Sequence, residues 1–345
     1  MTRKLEAEDF LKLDWALIDV RSPGEFACGH IPGAVNIPLF SDEERAIIGT
    51  LYKQQGKEKA IETGLSVVGP KLKDFVQLAK QNTSDKNVRI HCWRGGMRSS
   101  SMAWLLETAG LTTVLLEGGY KSYRKWVRDT LSIPHEVIIL AGMTGTGKTE
   151  ILIELEKSGE QVLDLEKLAS HRGSSFGNIG LGKQPSTEEF ENKIAEVWKG
   201  FTAAKPVWLE SESKKIGTCI IPAEIQQQMQ TAISLQIERS TEERIDILAK
   251  EYGKFDANVL VAATMRIQKK LGGLACQKSI DAILAGDIKK AAGIILSYYD
   301  KTYAHALQKR QIKKTITITG KSAFQAAKIL METYKTTLRK FNDIN

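Results

Sequence analysis

His91-Cys92-Trp93-Arg94-Gly95-Gly96-Met97-Arg98-Ser99 sets a cysteine between two segments of different pattern. The alternation Val88-Arg89-Ile90 before it predicts a strand, and the small and apolar residues from Ser99 to Leu106 predict a helix. In such a turn the backbone N–H groups, the helix N-terminus and two guanidinium groups face one point, which favours an anion there. The same positive field favours the thiolate of Cys92, which is the nucleophilic form. The stretch therefore predicts a reactive cysteine in an α/β fold.

The side chains of this stretch suit a tetrahedral oxyanion. We predict that Cys92, Arg94 and Arg98 are catalytic and that Gly95 and Gly96 bind phosphate. Arg98 can donate two parallel hydrogen bonds to an oxyanion with a phosphorus centre. A buried, inert cysteine is the alternative, but it does not explain two glycines and two arginines in the six residues after Cys92. We expect the donor or substrate at Cys92 to contain phosphate.

The segment upstream carries the motif of a known domain. A predicted strand, Trp15–Val20, runs into a series that includes Asp19-Val20-Arg21, Glu25-Phe26, Gly29-His30-Ile31-Pro32-Gly33-Ala34 and Asn36-Ile37-Pro38. This series resembles the opening of a rhodanese domain. The resemblance implies a parallel sheet with helices on both faces and a reactive cysteine loop where Cys92 lies, and we place the domain at residues 10–131.

The loop after Cys92 is longer than in many single rhodanese domains. Five residues, Trp93–Met97, separate Cys92 from Arg98. The pattern His91-Cys92-x-x-Gly95-x-x-Arg98-Ser99 also resembles the signature of cysteine phosphatases, including cell-cycle phosphatases with a rhodanese-like fold. The spacing predicts a wider cradle for the anion.

Three further features of this domain have a structural interpretation. We expect Cys28 to lie in the core or behind the site rather than to act as a resolving thiol. We expect His30 to hydrogen-bond within its turn rather than to act as a base. The segment Gly119–Arg128 interleaves aromatic and basic residues on a predicted helix. It is either a nucleic-acid contact or an ordinary helix with an aromatic inner face.

A second phosphate-binding motif lies further along the chain. The predicted strand Glu136–Ala141 leads into Gly142-Met143-Thr144-Gly145-Thr146-Gly147-Lys148-Thr149, and the predicted helix Glu150–Lys157 follows. This is a Walker A loop in the strand and helix context that the motif requires. We therefore predict a P-loop NTPase-like α/β domain at residues 134–345 with a helical C-terminal region. The loop should bind a di- or triphosphate, with the Thr149 hydroxyl on Mg²⁺. The predicted phosphate-binding residues are Gly142, Gly145, Gly147, Lys148 and Thr149.

The acidic partner of the Walker A loop has three candidates. Glu210 and Glu212 follow one predicted strand and Asp164 ends another; each could hold Mg²⁺, which leaves ATP hydrolysis open. Loops at the carboxyl ends of parallel strands bind ligands, and Arg239 or Arg244 could act on a transferring phosphate or form a surface ion pair. The predicted substrate-binding residues are His171, Arg172, Ser174, Glu210, Glu212, Lys214, Lys215 and Arg239.

Composition limits the class of protein. The chain has 345 residues, 42% hydrophobic and 26% charged, which fits a globular protein of two domains. We expect a cytoplasmic protein with no membrane contact, because the N-terminus does not resemble a secretory signal and no apolar run reaches membrane-spanning length. The spacing of the four cysteines argues against a disulfide framework and a structural zinc site.

The net charge of +8 permits a polyanionic partner. Basic pairs on predicted helices of the C-terminal third are usually solvated, yet together they could form an extended positive surface. The pairs are Lys269-Lys270, Lys289-Lys290, Lys309-Arg310 and Lys313-Lys314.

The combination of motifs resembles one family along nearly the whole chain. A rhodanese domain is joined to a Walker A domain, with Cys-Trp-Arg-Gly-Gly-Met-Arg-Ser, His-Arg-Gly-Ser and Glu-Ser-Glu-Ser-Lys-Lys-Ile-Gly in this order. This arrangement is similar to that of the bacterial tRNA 2-selenouridine synthases. The resemblance implies tRNA with a wobble 2-thiouridine as substrate, selenophosphate as selenium donor, and geranyl diphosphate as the source of an S-geranylated intermediate.

The residues suit this chemistry. In the first hypothesis Cys92 attacks the selenium of selenophosphate, Arg98 and the loop amides stabilise the departing phosphate, and a perselenide delivers selenium to C2 of the base. A selenium-delivering enzyme could load Cys92 instead, and the Walker A loop would bind geranyl diphosphate with Mg²⁺. Two alternatives stay open: a rhodanese-like cysteine phosphatase or kinase, for which no general acid is identified, and a nucleotide-sensing RNA-binding protein with Cys92 as a redox sensor.

Overall fold

The computed structural model describes residues 2–307 and 312–338 of this chain. Internal contacts divide it into one unit of Met1–Ser132 with Glu191–Glu196 and another of Ile133–Phe190 with Val197–Asn345. Each unit contains a five-stranded sheet whose neighbouring strands are parallel. The predicted α/β class is therefore confirmed.

The sheet of the first unit has short strands. They are β1 (Arg3–Leu5), β2 (Ala16–Asp19), β3 (Val35–Asn36), β4 (Asn87–His91) and β5 (Thr112–Leu116). Their order in the sheet is β1-β5-β4-β2-β3, so β4 is central. Ile18 and Ile90 are opposite each other on β2 and β4 and are buried, as expected for a parallel sheet covered on both faces. β1 lies ahead of residue 10, where the sequence analysis begins this domain; three residues are too few to show a periodic pattern.

The connections between these strands are helical. The helices are α1 (Ala7–Lys12), α2 (Pro23–Cys28), α3 (Asp42–Gln54), α4 (Lys57–Val68), α5 (Leu72–Gln81), α6 (Met97–Thr108) and α7 (Gly119–Leu131), with a 3₁₀ turn at Gly69–Lys71. Met102 and Leu106 of α6 pack in the core cluster that contains Ile90 of β4. This packing fixes the helix against the strand and so fixes the two ends of the loop that joins them.

The second unit has a larger set of strands. They are β6 (Val137–Gly142), β7 (Gln161–Leu163), β8 (Val207–Glu210), β9 (Lys215–Ile216), β10 (Cys219–Ile220), β11 (Ile233–Glu238) and β12 (Ile312–Thr317). The main sheet has the order β12-β11-β6-β8-β7, and β9 and β10 form a separate antiparallel pair. β6 is fully buried at the centre, with its Ile138 opposite Trp208 of β8. The carboxyl ends of β6, β7 and β8 therefore lie along one edge of this sheet.

The helices of the second unit fall into two packing groups. They are α8 (Lys148–Lys157), α9 (Leu165–Ala169), α10 (Thr187–Trp198), α11 (Ala223–Thr231), α12 (Thr241–Tyr252), α13 (Ala257–Arg266), α14 (Gln268–Leu271), α15 (Gly273–Leu284), α16 (Ile288–Leu307) and α17 (Ala323–Thr333), with a π-helical turn at Tyr334–Leu338. Of α10, only the two ends belong to this unit, because Glu191–Glu196 is part of the first. Leu152 of α8 and Leu330 of α17 share the core of the sheet. Leu260 of α13, Ile283 of α15 and Ile295 of α16 belong to a second core, built mostly by helices.

The C-terminal region is helical only in part. β12 adds a parallel strand beside β11, with Ile316 opposite Ile237. The prediction that Lys313-Lys314 lies on a helix is therefore wrong. Ile316 and Ile318 are buried and their neighbours are exposed, which is the period of a strand. Lys309-Arg310 lies outside the described residues, and within those residues no helix has the length and apolar character to span a membrane.

The structure tests the predictions for Cys28, for His30 and for the aromatic residues of α7. Cys28 is exposed at the end of α2, which has no buried residue, so the prediction of a covered position is wrong. His30 stacks on Phe26 and its Nδ1 lies 3.1 Å from the carbonyl oxygen of Phe26, which confirms its place in a hydrogen-bonded turn. Tyr120 and Tyr123 of α7 are fully buried. The aromatic residues of this helix thus form an inner face, as the structural alternative predicts.

Candidate functional site

Cys92 directly follows the central strand of the first sheet, and its side chain is almost completely covered. It is 3% exposed, and its Sγ lies 3.2 Å from Oγ of Ser99 in the first turn of α6. The hydroxyl of Ser99 also donates to the carbonyl oxygen of Gly96 at 3.1 Å. A hydroxyl has one proton, so in this arrangement the thiol donates to Ser99, whereas a thiolate would receive the proton of Ser99. Ser99 can therefore hold either form of Cys92 in place.

The loop after Cys92 is held by backbone contacts with the start of α7. The N–H of Tyr120 donates to the carbonyl oxygen of Cys92 at 2.8 Å. Gly95 has a φ of +63°, and a Cβ there would lie 2.9 Å from the carbonyl oxygen of Leu116. A glycine is required at this close approach. Because α6 begins at Met97, its first N–H groups have no acceptor within the helix and are available to an anion at the loop.

The two arginines predicted to be catalytic differ in exposure and in hydrogen bonding. Nη1 of Arg98 donates to Oε2 of Glu25 at 2.8 Å, and both side chains are mostly covered. Burial raises the pKa of Glu25, but the hydrogen bond and charge of Arg98 outweigh burial and bring that pKa below its ordinary value. Glu25 therefore stays ionised and orients Arg98. Arg94 is exposed on the loop.

A buried charged cluster supports the end of β4. Nη2 of Arg21 donates to Oδ2 of Asp19 at 2.6 Å and to the carbonyl oxygen of Gly29 at 2.7 Å. The guanidinium carbon lies 3.7 Å from the centre of the Tyr120 ring. His91 is 3.6 Å from Asp19, yet its complete burial lowers its pKa to about 4. The residue before Cys92 is therefore neutral at neutral pH. In the sequence Asp19 and Arg21 are recognisable only as parts of a motif, and nothing in that motif indicates that they pair.

An apolar cavity of ≈ 340 Å³ opens beside the same loop. Met97 and Arg98 line it at the start of α6, and Phe40, Ile48 and Leu65 are among the apolar residues that line it elsewhere. An apolar group can therefore bind next to the reactive loop without displacing Cys92.

The Walker A loop of the second unit joins β6 to α8. Gly145 and Gly147 have φ values of +79° and +81°, and the Nζ of Lys148 donates to the carbonyl oxygen of Gly142 at 3.2 Å. The Lys148 amine is thus folded over the loop whose N–H groups would hold phosphate oxygens. Oγ1 of Thr149 donates to Oε1 of Glu210 at 2.8 Å. The structure brings the predicted phosphate-binding residues into one loop.

Glu210 is the acidic residue that meets the Walker A loop. It ends β8 and is 5% exposed. Asp164 instead caps α9, where its Oδ1 accepts from the N–H of Lys167 at 2.8 Å. Glu166 was missed by the sequence analysis, although it lies just after β7. Carboxylate oxygens of Glu166, Glu210 and Glu212 lie within 4.8 Å of one another.

The protonation of this carboxylate cluster depends on its burial. Burial, and then the neighbouring Glu210 and Glu212, raise the pKa of Glu166 to about 10. Burial also raises the pKa of Glu210, against the opposing charge of Lys148. Three carboxyl groups with hard oxygen atoms fit Mg²⁺, and a cation bound there would displace the proton that Glu166 otherwise holds.

Two arginines donate hydrogen bonds to the backbone of the Walker A loop. Nε of Arg239 donates to the carbonyl oxygen of Thr146 at 3.2 Å, and Nε of Arg244 donates to that of Thr144 at 2.8 Å. Arg244 is buried and paired with Asp300, with Nη1 3.1 Å from Oδ2. Arg239 lines the open cavity of the loop. Of the two, Arg239 is therefore the one that can contact a ligand.

A cavity of ≈ 660 Å³ surrounds the Walker A loop. Most of the predicted substrate-binding residues line it. They are Arg172, Ser174, Glu210, Glu212 and Arg239, together with Lys148 and Thr149.

Three predicted residues are not brought to the cavity. Lys214 and Lys215 are exposed, because the chain leaves the sheet edge after Glu212 and enters the pair of β9 and β10. His171 packs against Gly177, and burial, helped by the charge of Arg266, lowers its pKa. These three positions remain predictions as substrate contacts, with no support from their placement.

Comparison with known proteins gives consistent matches in both units. The family model of the rhodanese-like domain matches residues 4–125, and that of the tRNA 2-selenouridine synthase AAA domain matches residues 135–266. The chain is 34% identical over 335 residues to a tRNA 2-selenouridine synthase of Pseudomonas syringae pv. syringae (strain B728a), which covers 85% of this chain and 88% of the relative.

A second relative gives the same result, and one solved structure matches part of the chain. The chain is 35% identical over 350 residues to a tRNA 2-selenouridine synthase of Marinobacter nauticus, with 90% of this chain and 94% of the relative covered. The crystal structure of the N-terminal domain of a protein described as ATP/GTP binding, from Clostridium difficile 630, is 45% identical and covers 36% of this chain and 97% of that domain, with a TM-score of 0.34.

Proposed function

Because the chain belongs to the tRNA 2-selenouridine synthase family, we propose that it replaces the sulfur of 2-thiouridine in tRNA by selenium. The observation that carries this proposal is the setting of Cys92: a covered sulfur in a glycine-rich turn, with Ser99 at 3.2 Å and Arg98 in the first turn of α6. Such a turn holds a phosphate-containing group against a nucleophile.

The first step in this proposal uses the Walker A loop. Geranyl diphosphate binds with its diphosphate on the loop, and the sulfur of the base attacks C1 of the geranyl group. The S–C bond forms, the C–O bond breaks as diphosphate leaves, and N3 of the base gives its proton to water. Lys148 and the first N–H groups of α8 stabilise the charge of the leaving group. Alkylation turns the base sulfur into a thioether, which is a better leaving group than the original sulfur.

Mg²⁺ fits the same cavity. Glu210 accepts from Thr149, and Glu166 and Glu212 add oxygen atoms close by. The ion would supply positive charge next to the diphosphate. The carboxylates of this chain would orient it, since Glu210 is fixed at the end of β8.

The selenium step depends on the electron balance of selenophosphate. Its selenium is already fully reduced, so attack of the Cys92 thiolate on selenium would push the Se–P electron pair onto phosphorus and release phosphite rather than phosphate. The perselenide expected from the sequence would therefore need an oxidant or another donor. In the balanced reaction the selenium of selenophosphate attacks C2 of the geranylated base, the C2–Se bond forms, the C2–S bond breaks, and the geranylthiolate leaves and takes a proton from water.

Cys92 then acts on phosphorus. Its thiolate attacks the phosphoryl group on selenium, the S–P bond forms, and the Se–P bond breaks with its electron pair kept by selenium. N3 of the base then takes a proton from water, which gives C2=Se. Water hydrolyses the S–P bond, which restores the thiol and releases phosphate. Arg98 and the first N–H groups of α6 would donate to the phosphoryl oxygens, in keeping with the cysteine phosphatase signature that this loop resembles.

Exposed lysines in the second unit support tRNA as the partner. The pairs on α14 and β12 are exposed, as is the pair on α16, where Lys289 contacts Asp246 at 2.6 Å. Lysines at such positions can neutralise phosphates of a nucleic acid and release counterions.

Mass spectrometry of tRNA nucleosides tests the proposal. Cells that lack this protein should contain 2-thiouridine but no 2-selenouridine, and the wild-type gene should restore it. Cys92→Ser should accumulate the Se-phosphorylated nucleoside in place of 2-selenouridine, whereas Lys148→Ala should yield neither of these nucleosides nor the S-geranylated one. Lys157→Ala, an exposed lysine on α8, is the matched control and should behave as wild type. Abundant selenouridine with Cys92→Ser would overturn the role of Cys92, and undiminished geranylation with Lys148→Ala would overturn that of the Walker A loop.

A further inference from the structure

A second, smaller cavity lies against the Walker A cavity in the second unit. Its volume is ≈ 70 Å³. The two cavities share part of their walls, because four residues line both. These are Thr144, Ser174, Leu248 and Tyr252. The smaller cavity therefore directly adjoins the Walker A cavity.

The walls of the smaller cavity are apolar. Leu260 of α13, Ile283 of α15 and Ala292 and Ile295 of α16 line it, and most of them are buried in the helical core. None of the residues that line it is charged. The larger cavity next to it is lined by Lys148, and also by Arg172, Arg239 and the carboxylates.

The few polar groups on the apolar walls have partners within the protein. The hydroxyl of Tyr299 accepts from the N–H of Ser175 at 3.2 Å, and the ring of Tyr252 packs against Phe176 with 5.7 Å between centroids. Burial raises the pKa of both tyrosines, so they stay neutral. The cavity offers van der Waals contact to an apolar group and little to a polar one.

We propose that this cavity binds the hydrocarbon chain of a diphosphate ester whose diphosphate lies on the Walker A loop. This inference rests on the proposed function and adds the residues that recognise the chain. The contrast between a charged cavity and an apolar one supports a single amphipathic occupant. A diphosphate complements Lys148, and a hydrocarbon complements the walls built from α13, α15 and α16. A nucleoside triphosphate would instead leave the apolar cavity unfilled.

The size of the cavity limits the length of the chain. A buried water needs about 10–15 Å³ of such space and occupies about 30 Å³ in the liquid, so ≈ 70 Å³ holds about five waters, or roughly 150 Å³ of liquid. Because a methylene group is about the size of a water molecule, this is the space of about five carbon atoms, or one isoprene unit. We therefore expect the first isoprene unit to contribute most of the binding and a third unit to add nothing.

Leu248 is a positioning residue at the junction of the two cavities. A Cβ built on Gly145 would lie 3.0 Å from Cγ of Leu248, so this side chain packs directly on the Walker A loop. A substitution of Leu248 would therefore change both cavities at once. Substitutions deeper in the apolar cavity test chain binding without disturbing the Walker A loop.

Calorimetric titration of the full-length protein tests the inference, with four probes: inorganic diphosphate, dimethylallyl diphosphate, geranyl diphosphate and farnesyl diphosphate. Wild type should bind geranyl diphosphate at least about tenfold more tightly than inorganic diphosphate, because each buried methylene strengthens binding about fourfold. The third isoprene unit of farnesyl diphosphate should add nothing.

Ala292→Leu fills the cavity and Ala262→Leu is its matched control, since Ala262 is exposed on α13. Ala292→Leu should weaken geranyl diphosphate at least about tenfold and leave inorganic diphosphate unchanged, which also shows that the variant is folded. Equal effects of the two variants, or no preference of wild type for geranyl diphosphate over inorganic diphosphate, would overturn the inference.

The titrations also separate this inference from the proposed function. Suppose that Lys148→Ala abolishes binding of inorganic diphosphate and that chain length has no effect on affinity. The diphosphate site on the Walker A loop is then supported, and the proposed chain-binding role of the apolar cavity is contradicted. If wild type binds none of the four probes, the proposed role of the Walker A loop fails together with the chain cavity.

Discussion

The Cys92 loop of the first unit and the Walker A loop of the second share one backbone device. Each follows the central strand of a parallel sheet, turns on a glycine with positive φ and ends at a helix N-terminus. Their side chains differ. Cys92 has a hydroxyl neighbour and an arginine that Glu25 orients, whereas the Walker A loop has Lys148 and a cluster of three carboxylates.

In the proposed function, this difference lets one anion-binding turn serve two kinds of chemistry. A covered thiol beside the turn makes the bound phosphoryl group a target for attack. Carboxylates beside the turn would hold a cation instead, whose charge would stabilise a bound diphosphate as a leaving group. The side chains around each turn, rather than its backbone, thus separate the two reactions, and substitutions at one turn should leave the other reaction intact.

The largest effect is expected for Arg98→Ala. Selenation of pre-geranylated tRNA should fall about 10²- to 10³-fold, since the variant loses a charged donor to the phosphoryl oxygens, while geranylation should be unchanged. The rates are measured by mass spectrometry of nucleosides. Arg128→Ala, at an exposed position of α7, is the control. An equal loss in both reactions would mean that the two loops do not act separately.

The next effect is expected for Glu210→Gln. Because the amide cannot match the carboxylate as a ligand, the Mg²⁺ concentration for half-maximal geranylation should rise about 10- to 100-fold, with selenation of pre-geranylated tRNA unaffected. Glu242→Gln, an exposed position on α12, serves for comparison. A Mg²⁺ response identical to wild type would remove Glu210 from the metal site.

The two units should also respond to pH in opposite directions. The pKa of His91 is lowered to about 4, so the unfolded chain binds more protons and the first unit loses stability as pH falls from about 6.5 towards 4. The loss should be about 1.5 kcal/mol between pH 6.5 and 5. The pKa of Glu166 is raised to about 10, so without a divalent cation the second unit loses stability as pH rises above about 4.5.

Denaturant unfolding of the full chain at several pH values checks both signs. His91→Gln should remove the acid-dependent loss from the transition of the first unit, and Glu166→Gln should remove the alkaline loss from that of the second. If both transitions shift in the same direction with pH, at least one of the two buried groups does not control the stability of its unit.

The smallest effect is expected for Cys28→Ser. The thiol of Cys28 is exposed on a short helix, outside the loop of Cys92. Selenation should therefore change by less than about twofold, which is the range of a surface substitution. A loss comparable to that of Cys92→Ser would show that a second thiol takes part in the reaction.

Local sequence patterns were enough to predict both loops. The alternation before Cys92, the glycines after it and the Walker A motif each lie within about ten residues, and their strand and helix flanks formed as expected. Glu210 was also among the predicted partners of Thr149, because it ends a strand of the same sheet.

Contacts between distant segments could not be predicted in this way. Glu25 meets Arg98 across 73 positions of the chain, and Glu166 approaches Glu210 because β7 and β8 are neighbours in the sheet. Neither sequence segment carries a sign of its partner. β12 was missed for a related reason, since its few alternating residues follow a long helical region and find their pairing only on β11.

The place of β12 at the edge of the second sheet has a consequence for biosynthesis. The first sheet has all its strands once residue 116 has left the ribosome, whereas β11 waits for Ile312–Thr317 before its open edge is paired. During that interval the nascent polypeptide exposes an unprotected strand edge, which is prone to non-native pairing and aggregation. A premature stop before codon 312 would make that transient hazard permanent while leaving the cysteine-bearing sheet complete.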